Sequence, residues 1–478
     1  MEEGRMLPEA FCARMKRLLG MEWEAFLASY DEDRCYGLRR NPLKSSAALF
    51  QARMPYALEK VNWAEEGYYY RAEEQPGKDV LHEAGVYYIQ EPSAMAVAEL
   101  LDPQPGERIL DLCAAPGGKS TQIAGRMQGE GLLVANEVIA DRARILSQNV
   151  ERMGITNCVV CSEDPGRMAE LFPGFFDRIV VDAPCSGEGM FRKDETAVEQ
   201  WSEAHVRMCA DRQLMILGEA AGMVRPGGVL VYSTCTFAPD ENEGVISRFV
   251  QSHDDFIIEQ IPHDAAFAPG RAEWTTSPAP GLEHTMRLWP QRLRGEGHYI
   301  ARLRRQGGVE GVLPLRHRAG DRTNPGKEHR RAGKAQKDPK EGLQEFLVKE
   351  LGLAEDWLAA QGGSVERFGE QFYLVPEQMI PMQGIRVLRP GLHLATEKKN
   401  RLEPAHSLAL ALTAAQTDRT LALSREEAVR YLRGESLPCG AQKGWTLLTY
   451  SGYPLGFGKA AGGQMKNHYP KGLRRDLS

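Results

Sequence analysis

The sequence predicts an α/β protein whose central sheet is mainly parallel. From about residue 80 to 306, short apolar runs alternate with longer helical patterns, and this alternation is typical of βαβ units. The predicted strands are Arg108–Leu112, Leu132–Asn136, Cys158–Cys161, Arg178–Asp182, Val229–Ser233 and Tyr299–Leu303. The predicted helices between them include Lys119–Met127, Ala140–Arg152 and Ala204–Met223.

Length and composition narrow the class of protein. A chain of 478 residues exceeds one ordinary core, so we expect two to four domains. The hydrophobic share of 42% and charged share of 26% are typical of globular proteins, and no apolar run has the length of a membrane span. Nine scattered cysteines argue against a disulfide framework. With an N-terminus that lacks the apolar centre of a secretory signal, we expect a cytoplasmic protein without a membrane partner.

The net charge of −6 hides a strongly basic stretch. Residues 301–340 carry twelve Lys or Arg against four acids, a local net charge of +8. Local basic patches bind phosphate groups, although a solvated linker has the same composition. Arg39, Arg40 and Lys44 near the N-terminus are further candidates for phosphate contacts.

A glycine-containing loop, Asp111–Thr121, follows the first strand and precedes a helix. Its small residues let a ligand approach the backbone, and the helix N-terminus offers unpaired N–H groups. The loop has neither dinucleotide-binding nor phosphate-loop spacing, which disfavours NAD and nucleoside triphosphates. Glu137 follows the next strand, as expected for a ribose-binding acid, and Asp164 follows the third, near an adenine edge. A nucleoside without pyrophosphate fits best, which indicates S-adenosylmethionine.

Two cysteines, Cys185 and Cys235, each follow a predicted strand, at the edge of the sheet where ligands gather. A thiolate that adds to carbon 6 of a pyrimidine makes carbon 5 nucleophilic enough to accept a methyl group. This chemistry also needs a carboxyl group near N3, and Asp182 is on the same turn as Cys185. The pattern therefore indicates covalent pyrimidine methylation.

Four segments resemble the NOL1/NOP2/Sun family of RNA cytosine-5 methyltransferases. They are DLCAAPGGKST at 111–121, Asn136-Glu137, VVDAPCSGEGMFRKD at 180–194 and YSTCTFAPDENEGVI at 232–246. The resemblance is strong over about 80–306. It implies a Rossmann-like class I core that depends on S-adenosylmethionine, and it implies an RNA rather than a DNA substrate, because this RNA family attacks with the thiol of the Thr-Cys motif.

The resemblance also implies roles for individual residues. Cys235 is expected to attack carbon 6, Cys185 to assist release of the product, and Asp182, held by Lys119, to face N3 of the cytosine. The residues expected to bind the cofactor are Cys113, Ala114, Ala115, Pro116, Gly117, Gly118, Lys119, Glu137, Asp164 and Asp182.

The layout of the chain resembles a bacterial branch of this family, the RsmF-type enzymes, which carry flanking RNA-binding domains. The predicted domains are an N-terminal α+β RNA-binding extension at 1–75, the methyltransferase core at 76–306, a basic linker at 307–341, a small α+β domain at 342–398 and a PUA-like β-barrel at 399–478.

That branch methylates cytosine in 16S ribosomal RNA of the small subunit, near the decoding region. Transfer RNA is the alternative substrate, and a non-catalytic RNA-binding assembly factor is the alternative function. We expect a monomer and no metal, because Cys158 and Cys161 have no second ligand pair at metal spacing.

Overall fold

The computed structural model describes residues 7–308, 339–378, 384–399, 401–440 and 442–477. Its N-terminal part combines helices with a small antiparallel sheet of strand order β2-β3-β1-β4. The elements are α1 (Glu9–Leu19), α2 (Trp23–Ala28), β1 (Tyr36–Arg40), α3 (Ala47–Arg53), β2 (Glu59–Lys60), β3 (Gly67–Tyr70), α4 (Val80–Glu83) and β4 (Tyr87–Ile89).

Of the three N-terminal cations predicted to contact phosphate, Arg39 and Arg40 are buried and Lys44 is partly buried. The Arg39 side chain is fully buried and donates to Gly118 O at 3.0 Å and Thr121 Oγ1 at 2.8 Å. Arg40 is also buried and pairs with Glu66 at 2.5 Å. The Lys44 amine donates to Ala84 O at 2.5 Å. The phosphate-contact prediction is wrong for these residues, because the sheet turns them inward against the core.

The core contains the long sheet. Its elements are α5 (Pro92–Leu101), β5 (Arg108–Asp111), α6 (Gly118–Met127), β6 (Leu132–Asn136), α7 (Ala140–Arg152), β7 (Cys158–Cys161), α8 (Pro165–Leu171), β8 (Phe176–Asp182), α9 (Glu195–Gln200), α10 (Glu203–Met223), β9 (Val224–Thr234), α11 (Glu243–Ser252), β10 (Phe256–Ile258), β11 (Ala268–Pro269), β12 (Met286–Leu288) and β13 (His298–Arg305).

Strand order in this sheet is β11-β12-β13-β9-β8-β5-β6-β7-β16, in which β16 (Val387–Arg389) comes from the C-terminal part and β10 pairs with β13. Strands β5 to β9 are parallel, whereas β13 runs antiparallel to β9. Strands β6 and β7 lie on one side of β5, and β8 and β9 lie on the other side. The order of the strands therefore reverses between β5 and β8. In open α/β sheets, ligands bind at the carboxyl ends of the strands beside such a reversal.

The remaining elements form the C-terminal part. They are α12 (Pro339–Lys349), α13 (Trp357–Ala360), β14 (Ser364–Phe368), β15 (Gln371–Val375), β16 (Val387–Arg389), β17 (Leu392–Lys398), β18 (Arg401–Pro404), α14 (His406–Ala411), β19 (Thr420–Leu423), α15 (Arg425–Arg433), β20 (Leu437–Pro438), β21 (Gly444–Tyr450), β22 (Tyr453–Ala461) and β23 (Gln464–Asn467).

The C-terminal part contacts both earlier parts. Strand β16 pairs with β7 and so extends the core sheet. The last sheet, of order β19-β21-β22-β23-β20, shares a hydrophobic cluster with the N-terminal sheet. Tyr453 Oη donates to Ser45 Oγ at 2.9 Å within this contact. The two ends of the chain therefore pack on each other.

The basic stretch is only partly described by the structure. Its first arginines lie on β13 and are paired with carboxylates: Arg302 and Arg304 with Glu259 at 2.6 and 2.7 Å, and Arg305 with Asp255 at 2.8 Å. Because these three arginines are paired with carboxylates, they are not free to bind RNA phosphates, and that part of the prediction is wrong. Residues 309–338 lie outside the described ranges.

Within the described ranges, no helix is both long and apolar enough to cross a membrane.

Candidate active site

The two predicted thiols lie side by side. Cys185 follows β8 and Cys235 follows β9, and these parallel neighbours are in a register that pairs Asp182 with Ser233. The Cys185 Sγ to Cys235 Sγ distance is 3.3 Å, and both cysteines are free thiols. The hydrogen bond to Cys235, followed by burial, raises the pKa of Cys185 well above its usual range. Cys185 is thus a thiol that can donate to the sulfur of Cys235.

A lysine–aspartate pair lies beside the thiols. Lys119 Nζ donates to Asp182 Oδ2 at 2.7 Å, and Ser233 Oγ donates to Asp182 Oδ1 at 2.7 Å. Burial, the largest single cause, would raise the pKa of Asp182, but the charges of Lys119 and His298 and the hydrogen bonds from Lys119 and Ser233 together outweigh it, and the pKa is lowered. Burial, the largest single cause, would lower the pKa of Lys119, but the charge and hydrogen bond of Asp182, together with the charges of Asp111 and Cys235, outweigh it, and the pKa is raised. The carboxylate is therefore ionised, and its side chain is 31% exposed while that of Lys119 is 11% exposed.

The loop that carries Cys235 is fixed by Asn242. Thr234 Oγ1 donates to Asn242 Oδ1 at 2.7 Å, and Asn242 Nδ2 donates to Thr236 O at 2.9 Å. Asn242 is fully buried. Sequence reasoning did not single it out, although it stands in the same motif as Cys235.

The predicted cofactor loop is braced from α7. Gly117, at φ 115°, precedes the first turn of α6 in a conformation that favours glycine. Asn149 Nδ2 donates to Pro116 O at 2.8 Å, and Arg142 Nη2 donates to Ala115 O at 3.0 Å. These side chains hold the loop open at the end of β5.

The two predicted acids are ordered by local hydrogen bonds. Glu137 Oε1 accepts from Ile139 N at 3.0 Å, and Oε2 lies 3.3 Å from Arg142 Nη1. Asp164 caps α8, where its Oδ1 accepts from Gly166 N at 2.9 Å. Each carboxylate is therefore held in one orientation at the end of its strand.

A cavity of about 770 Å³ joins these features. Of the predicted site residues, it is lined by Cys113, Ala115, Glu137, Asp164, Asp182, Cys185 and Cys235. Ala114, Pro116, Gly117, Gly118 and Lys119 are not among its lining residues. They shape the loop or, in the case of Lys119, hold Asp182 from behind.

The cavity also has an apolar rim that sequence reasoning missed. Val138, Ile139 and Met215 line it and are 56%, 51% and 67% exposed. Exposed apolar side chains at a cavity mouth suit a flat aromatic ligand such as adenine. A signal was present in the apolar pair that directly follows Glu137.

The donor set fits S-adenosylmethionine. A carboxylate suited to ribose hydroxyls, an apolar rim and a glycine-containing turn surround one cavity that extends to the two thiols. The described residues contain no group of three or more His, Cys, Asp or Glu placed to hold a metal ion. Cys158 and Cys161, as predicted, are buried core residues of β7.

Family models match most of the chain in four segments. They are the N-terminal domain of 16S rRNA methyltransferase RsmF at 7–92, 16S rRNA methyltransferase RsmB/F at 98–304, the RsmF rRNA methyltransferase first C-terminal domain at 348–412 and the methyltransferase RsmF PUA domain at 418–475. The predicted C-terminal PUA-like domain is thereby confirmed.

Solved structures support the fold. A methyltransferase homolog protein from Pyrococcus horikoshii is 27% identical, with a TM-score of 0.55 over 62% of this chain and 95% of the other. NSun6 from Pyrococcus horikoshii, crystallised with SFG, has a TM-score of 0.53 at 21% identity over 64% of this chain and 100% of the other, and is similar in fold.

Curated relatives match almost from end to end. Ribosomal RNA small subunit methyltransferase F of Klebsiella pneumoniae is 35% identical and covers 98% of this chain and 97% of its own. The protein of the same name from Vibrio parahaemolyticus is 32% identical and covers 98% of each. The chain belongs to the RsmB/F family of 16S rRNA methyltransferases, on the RsmF side of that family.

Proposed function

We propose that this protein methylates carbon 5 of a cytosine in 16S ribosomal RNA through a covalent adduct with Cys235. The observation that carries the proposal is the pair of thiols 3.3 Å apart beside an ionised Asp182, at the end of a cavity suited to a nucleoside. The full-length likeness to small subunit methyltransferases F supports the choice of RNA.

The proposed chemistry starts at Cys235. The Cys235 thiol gives up its proton to solvent, its sulfur adds to carbon 6 of the cytosine, and the electron pair of the C5–C6 double bond becomes available to form a bond from carbon 5 to a methyl group. The loop at Cys113 and Ala115, together with Glu137, would hold S-adenosylmethionine, which would supply that methyl group and leave as the neutral thioether when its methyl–sulfur bond breaks. Asp182, fixed by Lys119 and Ser233, would face the N3 and amino edge of the base, where its carboxylate accepts hydrogen bonds from the amino group and from the proton that N3 takes up from solvent as the adduct forms.

Release restores the aromatic ring. The proton on carbon 5 passes to a base, its bonding pair re-forms the C5–C6 double bond, and the C6–sulfur bond breaks. Cys235 then departs as a thiolate. Cys185, whose raised pKa keeps it protonated, donates a hydrogen bond to this sulfur and makes it a better leaving group.

The target cytosine must be unpaired or flipped, because stacking covers both faces of the C5–C6 bond. The PUA domain offers exposed cations, including Lys466 and Lys471, for the phosphates of a folded RNA. We propose that this domain and the N-terminal sheet, which share a hydrophobic cluster, present the RNA as one unit.

The test is methyl transfer by the wild-type protein and by Cys235→Ala. Wild type is expected to label purified 16S RNA or small subunits at carbon 5 of cytosine, and the variant is expected to be inactive. Transfer RNA is the comparison substrate, and exclusive labelling of it would replace the proposed substrate. Methylation by a folded Cys235→Ala protein would refute Cys235 as the nucleophile.

A further inference from the structure

A buried carboxylate, Glu241, connects the loop that carries Cys185 to the loop that carries Cys235 through hydrogen bonds on the side away from the cavity. It is fully buried between the Cys235 loop and α11. Its Oε2 accepts from Ser186 N at 2.9 Å and from Gln213 Nε2 at 2.8 Å, and its Oε1 accepts from Ser186 Oγ. Ser186 directly follows Cys185, so this carboxylate holds the backbone and the side chain next to the first thiol.

The same contacts reach the second thiol. Ser186 Oγ lies 3.0 Å from Thr236 Oγ1, and Thr236 directly follows Cys235. Gln213, on α10, also donates from Nε2 to Pro184 O at 3.0 Å, on the other side of Cys185. Each residue beside the Cys185 thiol is therefore anchored, directly or through one neighbour, to Glu241.

Glu241 holds the thiols in place through these neighbours, and its charge in addition helps to raise the pKa of Cys185. It is not among the residues that line the cavity, and its hydrogen bonds go to Ser186 and Gln213 rather than to either sulfur. Burial is the main cause that raises its pKa to about 7. The protonated form keeps the bridge, since its O–H can donate to Ser186 Oγ, which then donates to Thr236 Oγ1. A glutamine side chain is able to make the same reversed hydrogen bond.

We propose that Glu241 is a positioning residue that holds Cys185 against Cys235 and thereby sets the rate at which the methylated base leaves the enzyme. This inference rests on the proposed function, in which Cys185 assists release. A displacement of about 1 Å at a reacting group lowers rates by up to about 100-fold. Glu241 bonds directly to Ser186, the neighbour of Cys185, and reaches the Cys235 loop only through Ser186. Loss of the Glu241 side chain should therefore displace Cys185 most and slow the release step most.

The experiment measures turnover and the fraction of protein trapped as a covalent RNA adduct. Glu241→Ala is expected to lower kcat roughly 10- to 100-fold and to accumulate adduct as Cys185→Ala does. The KM for S-adenosylmethionine is expected to stay unchanged, because Glu241 does not line the cavity. Glu241→Gln, which preserves the bridge, is expected to restore turnover and a low adduct fraction.

Asp177→Asn is the matched control. Asp177 is also a mostly buried carboxylate with three donors, Arg108 N at 2.7 Å, Arg108 Nε at 3.4 Å and Arg225 Nε at 2.6 Å, but it lies near the start of β8, at the opposite end of the strand from the thiols. Its loss is expected to lower the melting temperature without raising the adduct fraction. A rise equal to that of Glu241→Ala would show that general loosening, not positioning, causes the effect.

If Glu241→Ala fails to fold, Ser186→Ala removes the hydroxyl bridge to Thr236 and Glu241 with little change in volume, and the same rise in adduct is expected. A folded Glu241→Ala or Ser186→Ala protein with a wild-type adduct fraction overturns the positioning role. Failure of wild type to methylate RNA, or of Cys185→Ala to accumulate adduct, refutes the proposed function instead.

Discussion

The edge of the sheet at β8 and β9 and the N-terminal sheet both bury cationic side chains, with opposite consequences. At the first, Lys119 meets the carboxylate of Asp182 at 2.7 Å, and its pKa is raised. Just after β1, the amine of Lys44 donates, among the described residues, to the carbonyl oxygens of Ala84 and Arg152, and burial lowers its pKa to about 7.

The partner of a buried basic side chain decides whether that side chain stays charged. The Lys119–Asp182 pair remains charged at the wall of a cavity that also holds two thiols, so its charge is available for chemistry. The side chains of Lys44 and Arg39 donate their hydrogen bonds to backbone and side-chain acceptors within the fold. Substitutions should therefore affect turnover at the sheet edge and stability in the N-terminal sheet.

The largest effect is expected for Cys185→Ala. Turnover should be lost, because the sulfur of Cys235 loses its hydrogen-bond donor in the release step. The stalled complex should appear as a protein–RNA band of reduced mobility in a denaturing gel. Loss of turnover without such a band would place the role of Cys185 before adduct formation.

The next effect is expected for Lys119→Met. The variant leaves Asp182 without its cationic partner, so the pKa of the carboxyl group should rise and the pH profile of kcat should shift. We expect kcat to fall by roughly 100- to 1000-fold, as for the loss of one preorganised electrostatic contact. Single-turnover methyl transfer across a pH series measures both, and an unchanged rate and profile would remove Lys119 from the mechanism.

Arg39→Met should mainly lower the free energy of unfolding. The substitution leaves Gly118 O, Thr121 Oγ1 and Gln90 Oε1 without their donor, which costs roughly 3 kcal/mol in the free energy of unfolding. RNA affinity at a temperature where the variant is folded should match that of wild type. A selective loss of RNA affinity with unchanged stability would restore the phosphate-contact interpretation of this arginine.

At neutral pH the smallest effect is expected for Lys44→Met. Since the pKa of Lys44 is about 7 in the folded protein and near 10.5 when unfolded, the unfolded chain binds more protons between these values. Lys44 therefore makes wild-type stability rise with pH from about 7 to about 10.5, and fall again as the pH returns to 7. Denaturant titrations of both proteins across this window should show a smaller rise in the variant, and equal slopes would contradict the assignment.

The local pattern of the sequence predicted much of the core. The predicted strands at 132–136 and 158–161 and the predicted helix at 140–152 agree with β6, β7 and α7, because hydrophobic periodicity and glycine-rich turns act over a few residues. The comparisons confirm the predicted family, α/β methyltransferase fold and enzyme class. The roles of Cys235, Cys185, Asp182 and Lys119 stay predictions, now supported by their proximity.

Other features depend on residues that are far apart in the sequence. Charge alone indicated that Arg39 and Lys44 face RNA, yet their hydrogen-bond partners come from segments 40 to 108 positions away. Glu241 and Asn242 were quoted only as part of a motif, since nothing in their spacing shows that they face Ser186 or the Cys235 loop. The packing of the N-terminal sheet on the last sheet could not be predicted from the sequence either, because it joins the two ends of the chain.

The sequence by itself determined the chemistry available to this protein: two thiols and an aspartate after consecutive strands, and a glycine-containing turn before a helix. Only the tertiary structure decided which charges serve that chemistry, because a charged side chain takes its role from the groups that replace its water. At the ends of β8 and β9 those groups leave Asp182 open to a cavity, whereas in the N-terminal part they bury Arg39 and Arg40 and partly bury Lys44.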